Sequence, residues 1–162
     1  MPLTQAILAR GDAPGVAERP LVLCVDDDLG VLSSLRRLFR SEPFGVITAA
    51  SPGEALAFLR DRAVAVVISD ERMPETSGTE LLAEIREHWP WIGLVILTAF
   101  PDCDVKIRGL EAGIDMLLSK PWDGEALKRS VRRLVVEVER ARGWSDPGEE
   151  EGGGRDLGGE GG

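Results

Sequence analysis

LVLCVDDD, residues 21–28, is a run of strand-forming apolar residues that ends on three consecutive carboxylates. Adjacent unit charges repel by on the order of 4 kcal/mol per pair at ~4 Å and an effective dielectric near 20, so something must offset the triplet. Two readings stand open at this point. Either Asp28 caps a following helix while Asp26 and Asp27 point into water, or the carboxylates hold a hard divalent cation.

Working outward, continuous apolar runs of four to seven residues recur at 21–25, 45–49, 64–69, 94–98 and 115–119. Short runs without alternation suit parallel strands buried on both faces. Each is followed by a helical pattern. Leu32, Leu35, Leu38 and Phe39 share one face, and Ser51 with Glu54 makes a capping box ahead of Leu56 and Leu59. Leu82, Ile85 and Trp89 form a third stripe stopped by Pro90; residues 103–112 are a weaker fourth helix; Leu127, Val131, Leu134, Val135 and Val138 mark the last. Five strand-then-helix units predict an α/β fold with a doubly wound parallel sheet over residues 20–143.

The flanks read differently. Residues 1–19 are poor in large apolar side chains and predict a mobile arm, with no stretch of signal-peptide length. Residues 144–162 carry six acidic residues, one basic residue and eight glycines, which predicts a disordered acidic tail. That tail holds a net −5 of the formal −9, leaving about −4 elsewhere, a poor electrostatic match for nucleic acid. No span reads as crossing a bilayer. Cys24, inside the first strand, and Cys103, in a polar turn, make neither a disulfide framework nor a zinc site and point to a cytoplasmic location.

Function in doubly wound sheets gathers at the carboxyl ends of the strands. Here the first strand ends on Asp26, Asp27 and Asp28, the third on Asp70, the fourth on Thr98 and the fifth on Lys120, followed by Pro121. An acid pair, an acid, a hydroxyl and a lysine at one sheet edge form a set, although each alone would be unremarked.

With these residues in view, the sequence resembles the phosphoacceptor receiver domain of two-component response regulators over roughly residues 20–143. VDDD resembles the family's acidic pair, SDERMPETSG its phosphoacceptor strand and loop with Gly78, LTA (97–99) its hydroxyl-bearing strand end, and SKP (119–121) its lysine-proline. The resemblance implies a five-stranded flavodoxin-like sheet in the order 2-1-3-4-5. It implies that Asp70 accepts the phosphoryl group, and that Mg2+ is bound by Asp27, Asp70 and the backbone carbonyl of Arg72 directly and by Asp26 through water. Thr98, Ala99, Lys120 and Pro121 become the phosphoryl-binding and switch residues, with a cis Lys120–Pro121 bond. Asp28 is then the cap of the first helix.

The resemblance also implies partners: a sensor histidine kinase or histidine phosphotransfer protein as donor, and an output protein reached through protein contacts. The expectation is a stand-alone receiver that catalyses only its own phosphorylation and dephosphorylation, or a phosphate shuttle in a phosphorelay. A homodimer would use the fourth helix, fifth strand and fifth helix, where Lys128, Arg129, Arg132 and Arg133 form a basic face and Trp122 adjoins. His88, about 15 Å along the third helix from the strand ends, is no internal phosphodonor.

Two departures stand out. Leu117 occupies the switch position where the family commonly has an aromatic residue, and Arg72 and Phe100 flank the expected phosphoryl site. A rival reading, a haloacid dehalogenase-like phosphatase using Asp26-x-Asp28, Thr98 and Lys120, would leave Asp70 and SDERMP idle and lacks that family's later acidic pair.

Overall fold

The computed structural model describes residues 19–143. The arm expected over 1–19, apart from Arg19, and the tail expected over 144–162 lie outside the described residues. The five strands are β1 (Leu21–Val25), β2 (Gly45–Ala49), β3 (Val64–Asp70), β4 (Gly93–Thr98) and β5 (Met116–Ser119), all parallel and in the order β2-β1-β3-β4-β5. The helices are α1 (Leu29–Leu38), α2 (Pro52–Asp61), α3 (Gly78–His88), α4 (Cys103–Ala112) and α5 (Gly124–Ala141), with a 3-10 turn at Phe39–Ser41. The flavodoxin-like fold and its strand order are those the resemblance implies.

Alternation along the strands builds two cores from one sheet. Val22 and Cys24 of β1, with Val66 and Ile68 of β3, face Leu32 and Leu35 of α1 and Leu127, Val131 and Leu134 of α5. Leu23, Val25 and Val67 face the other way, onto Leu59 of α2, Leu82 and Ile85 of α3 and Val105 of α4. Both faces are dry, so the strands read as unbroken apolar runs. Burial also pushes the Cys24 thiol up to about 12, leaving it an inert core residue.

Each helix start is satisfied locally. Asp28, Ser51, Ser77, Asp102 and Asp123 stand at the five N-caps, and each side chain accepts from a backbone N–H of the first turn. The capping box at α2 closes one residue early, because Glu54 accepts from Ala50 N at 3.2 Å rather than from Ser51. Cys103, expected in a turn, is the first residue of α4. Gly113 ends that helix at φ 74°, a left-handed conformation that favours glycine.

Two staples were not legible in the sequence. Arg86 of α3 donates to the carbonyls of Gly113, Pro90 and Ile92 and to Asp115 Oδ2 at 3.0 Å, while the same Asp115 oxygen accepts from Leu94 N at 2.8 Å. Buried Glu42 takes a bidentate pair from Arg132 at 2.7 and 2.8 Å. That pair gives the basic face on α5 a partner that no local pattern announces, while Arg132 stays about half exposed. Arg132 is committed to Glu42, Lys128 pairs with Glu125 at 2.8 Å, and Trp122 packs half-buried against the α1 and α5 core. The reason is that Glu42 and the core approach α5 from segments distant in sequence.

Candidate functional site

The strand order reverses between β1 and β3, and this is where a doubly wound sheet opens a crevice. Register pairs Val25 with Ser69, so the residues that follow, Asp26 and Asp70, leave the sheet side by side. Asp26 is buried; its Oδ1 accepts from Asp28 N at 2.9 Å and its Oδ2 from Lys120 Nζ at 2.9 Å. Lys120 Nζ also donates to Asp70 Oδ1 at 3.1 Å. Asp27 is exposed, yet one oxygen from each of Asp26, Asp27 and Asp70 falls within 4.8 Å of the others. Asp28 turns away, accepting from Gly30 N at 2.8 Å and Val31 N at 3.4 Å as the cap of α1.

Electrostatics follow from this crowding. Burial raises the Asp70 pKa from its ordinary 3.8, the hydrogen bond from Lys120 opposes the rise, and the neighbouring Asp26 and Asp27 charges add to it. Burial alone would lower the Lys120 pKa, but its hydrogen bonds to Asp26 and Asp70 outweigh that and the ammonium is held above 10.5. Three carboxylates against one ammonium leave an excess of negative charge, and all the donors are hard oxygens. That donor set fits a divalent cation.

A raised Asp70 pKa means the native state holds that proton more tightly than the unfolded chain. Its contribution to stability is therefore full below pH 3.8 and lost as pH rises through the raised value. With divalent cations chelated, the wild type is expected to lose stability relative to Asp70→Asn across that acid window and to run parallel above it. Denaturant midpoints for both proteins, taken from about pH 3.5 to 8, check this. A constant difference throughout would contradict the sign.

The remaining residues frame the cluster. Thr98 is buried at the end of β4, its Oγ accepts from Phe100 N at 3.1 Å, and its carbonyl accepts from Lys120 N at 2.8 Å. Ala99 follows it, exposed. The Lys120–Pro121 peptide is cis. The guanidinium of Arg72 lies over the Phe100 ring, 4.3 Å from its centroid. Leu117 packs half-buried against the core on the α2, α3 and α4 side. His88 ends α3, with Nδ1 2.9 Å from the Glu84 carbonyl oxygen.

Sequence reasoning missed a second layer. Glu71 is buried directly after Asp70; its carboxylate accepts from Thr79 N and Thr79 Oγ, each at 3.0 Å, and from Arg108 Nη2 at 3.3 Å. The Glu71 carbonyl accepts from Gly78 N at 2.9 Å. At Gly78 a β-carbon would lie 2.1 Å from the Asp70 carbonyl oxygen, so only glycine lets α3 start this close to β3. The available signal was a charged side chain at 71, on the strand alternation that points into the α3 and α4 layer.

A strand-end cluster of acids with a lysine on this sheet defines a class, and comparison with known proteins agrees. The family model described as response regulator receiver domain matches residues 22–132, and the chain belongs to that family. It is 40% identical over 115 residues to the hydrogenase transcriptional regulatory protein HoxA of Cupriavidus necator, covering 70% of this chain and 24% of HoxA. It is 36% identical over 138 residues to response regulator Rre1 of Synechocystis sp., covering 83% of this chain and 58% of Rre1. Thus the chain spans about a quarter of the first relative and little over half of the second. Among solved structures, the signal receiver domain of an HD domain-containing protein from Pseudomonas fluorescens superposes with a TM-score of 0.75 at 30% identity, covering 83% of this chain and 99% of that one. A CheY-like receiver domain from Methanospirillum hungatei gives 0.73 at 27% identity, covering 76% and 99%.

The phosphatase alternative finds no support. It needs Asp28 as a reacting acid, and Asp28 is occupied as a helix cap, while Asp70 stands in the cluster rather than idle. Among the described residues, no helix is long and apolar enough to cross a membrane.

Proposed function

We propose that Asp70 is the phosphoacceptor and that the module is charged by a phosphohistidine on a sensor histidine kinase or histidine phosphotransfer protein. An Asp70 oxygen attacks phosphorus, the P–N bond breaks, and the imidazole leaves with a proton. The observation that carries this is the meeting of Asp70 with Asp26, Asp27 and Lys120 at one strand-end edge. Lys120 already donates to Asp70 and is placed to hold a phosphoryl oxygen as a point charge. Thr98 donates its hydroxyl to the same group in this reading, while its oxygen goes on accepting from Phe100 N.

Mg2+ suits the site, with Asp27, Asp70 and the Arg72 carbonyl as direct ligands and Asp26 acting through water; it would neutralise charge between the carboxylate and the incoming phosphoryl oxygens. The only reactions catalysed are the protein's own phosphorylation and dephosphorylation. Output then passes through protein contacts, with a homodimer across α4, β5 and α5 as one form. HoxA is named a transcriptional regulator, and a receiver joined to such an output would act on nucleic acid only through the other part of the protein. A cytoplasmic location accords with a kinase donor.

The test uses Mg2+ and acetyl phosphate with wild type and Asp27→Ala. Wild type is expected to gain one acid-stable, base-labile phosphoryl group. Asp27→Ala is expected to weaken Mg2+ binding by at least about tenfold, in calorimetry without phosphodonor, and to lower labelling in step. Unchanged Mg2+ affinity in Asp27→Ala would mean that the acidic triplet is merely solvated.

A further inference from the structure

α4 is seated shallowly, burying two of its ten residues as α1 and α2 do, and it leaves large apolar side chains outside. Only Val105 and Gly109 of its ten residues are buried, while Ile107 and Leu110 are 54% and 79% exposed. Beside it, a cavity of about 350 Å3 separates α4 from the segment that follows β3, lined by Arg72, Met73, Pro74, Thr76, Val105 and Arg108 among others. One ion pair crosses that space, from Arg108 of α4 to Glu71.

The two ends of this pair are held unequally. Glu71 takes two hydrogen bonds from Thr79 at the start of α3, and its backbone continues directly from Asp70. Arg108 is half exposed and reaches the carboxylate at 3.3 Å, the geometry of a weak, releasable contact. Glu71 therefore travels with the site and Arg108 with α4. Nor is there slack between Glu71 and Asp70, since Gly78 N binds the Glu71 carbonyl and the Gly78 α-carbon abuts the Asp70 carbonyl. The fifth strand offers no ring to carry a signal, because Leu117 stands there.

We propose that Glu71 and Arg108 form a tether through which occupation of Asp70 and the position of α4 are coupled. This rests on Asp70 being the phosphoacceptor. An added phosphoryl group brings up to about two negative charges to the residue before Glu71, and any shift of the site backbone is passed to the Glu71 carboxylate fixed to it. The bond that yields is the one with a single, exposed donor. α4 then has room on its cavity side to settle differently, and coupling of this kind is reciprocal, so α4 in turn biases the site.

The experiment is amide hydrogen exchange across α4 in wild type, Arg108→Ala and Arg108→Lys, each with Mg2+ and with or without acetyl phosphate, with phosphate per chain measured by intact mass. Arg108 is half exposed, so its replacement leaves the core intact. In wild type, phosphorylation is expected to shift α4 exchange on the order of tenfold. Arg108→Ala is expected to keep its phosphate and lose that shift, and Arg108→Lys, which restores a point charge, to recover part of it. The same α4 shift in phosphorylated Arg108→Ala, or none in phosphorylated wild type, overturns the tether while leaving the phosphoacceptor intact. Loss of phosphate from Arg108→Ala alone would make Arg108 part of the reaction and equally overturn it. Wild type that takes no phosphate overturns the phosphoacceptor reading and the tether with it.

Discussion

Asp70→Asn is expected to take the protein from one phosphoryl group per chain to none under Mg2+ and acetyl phosphate. The amide keeps the shape of the side chain and still accepts from Lys120, but it has no anionic oxygen to attack phosphorus. No other carboxylate replaces it. Asp26 is buried behind its bonds to Asp28 N and Lys120, and Asp28 is held at the helix cap. Asp27 is exposed but follows a different strand, so its approach to a phosphoryl group held by Lys120 and Thr98 differs from that of Asp70. Intact mass and base-lability of the label measure the outcome. A label that persists in Asp70→Asn would place the nucleophile elsewhere.

The second large effect concerns the lifetime of the phosphorylated state. Aspartyl phosphate is lost when water attacks phosphorus in line, opposite the Asp70 oxygen. Arg72 and Phe100, which the family resemblance sets beside that line, lean on one another through a cation–π contact and would act as a joint cover rather than as two independent side chains. The ring supplies no base to orient water, and the guanidinium can bond phosphoryl oxygens while blocking the approach. Removing both as Arg72→Ala with Phe100→Ala is expected to speed phosphate loss by about tenfold, which corresponds to a barrier lowered by about 1.36 kcal/mol. Decay of the purified phosphoprotein with saturating Mg2+ measures it. Equal decay in wild type and double variant would show that the pair gates nothing.

The sheet was readable because all of its inner strands are buried on two faces, which turns each into an unbroken apolar word. α4 read weakly for the opposite physical reason. Its apolar Ile107 and Leu110 point to solvent and only Val105 and Gly109 point inward, so no stripe forms. At the site, Asp26, Asp27, Asp70, Thr98 and Lys120 were legible because each ends a strand, and a shared edge follows from topology alone. Glu71 with Arg108, and Glu42 with Arg132, were not. These pairs join residues 37 and 90 positions apart, and nothing in a local pattern announces a partner at that range. Nothing in the face of α5 announces that Arg132, itself about half exposed, reaches Glu42, or that Trp122 packs on the core. A helical face tells which residues align, and the neighbours decide whether that face is free.

Gly78 sets a limit of another kind. Gly53 occupies a comparable place in the first turn of α2, and a β-carbon there would meet nothing within 4 Å. Any residue fits at 53, and helix propensity would favour most of them over glycine. At 78 the Asp70 carbonyl already fills the space, so every substitution must push the Asp70 backbone. Two glycines in the first turns of their helices thus differ completely in their mutational freedom. Position 53 is open to substitution, whereas position 78 stays glycine for as long as the Asp70 backbone must keep its place.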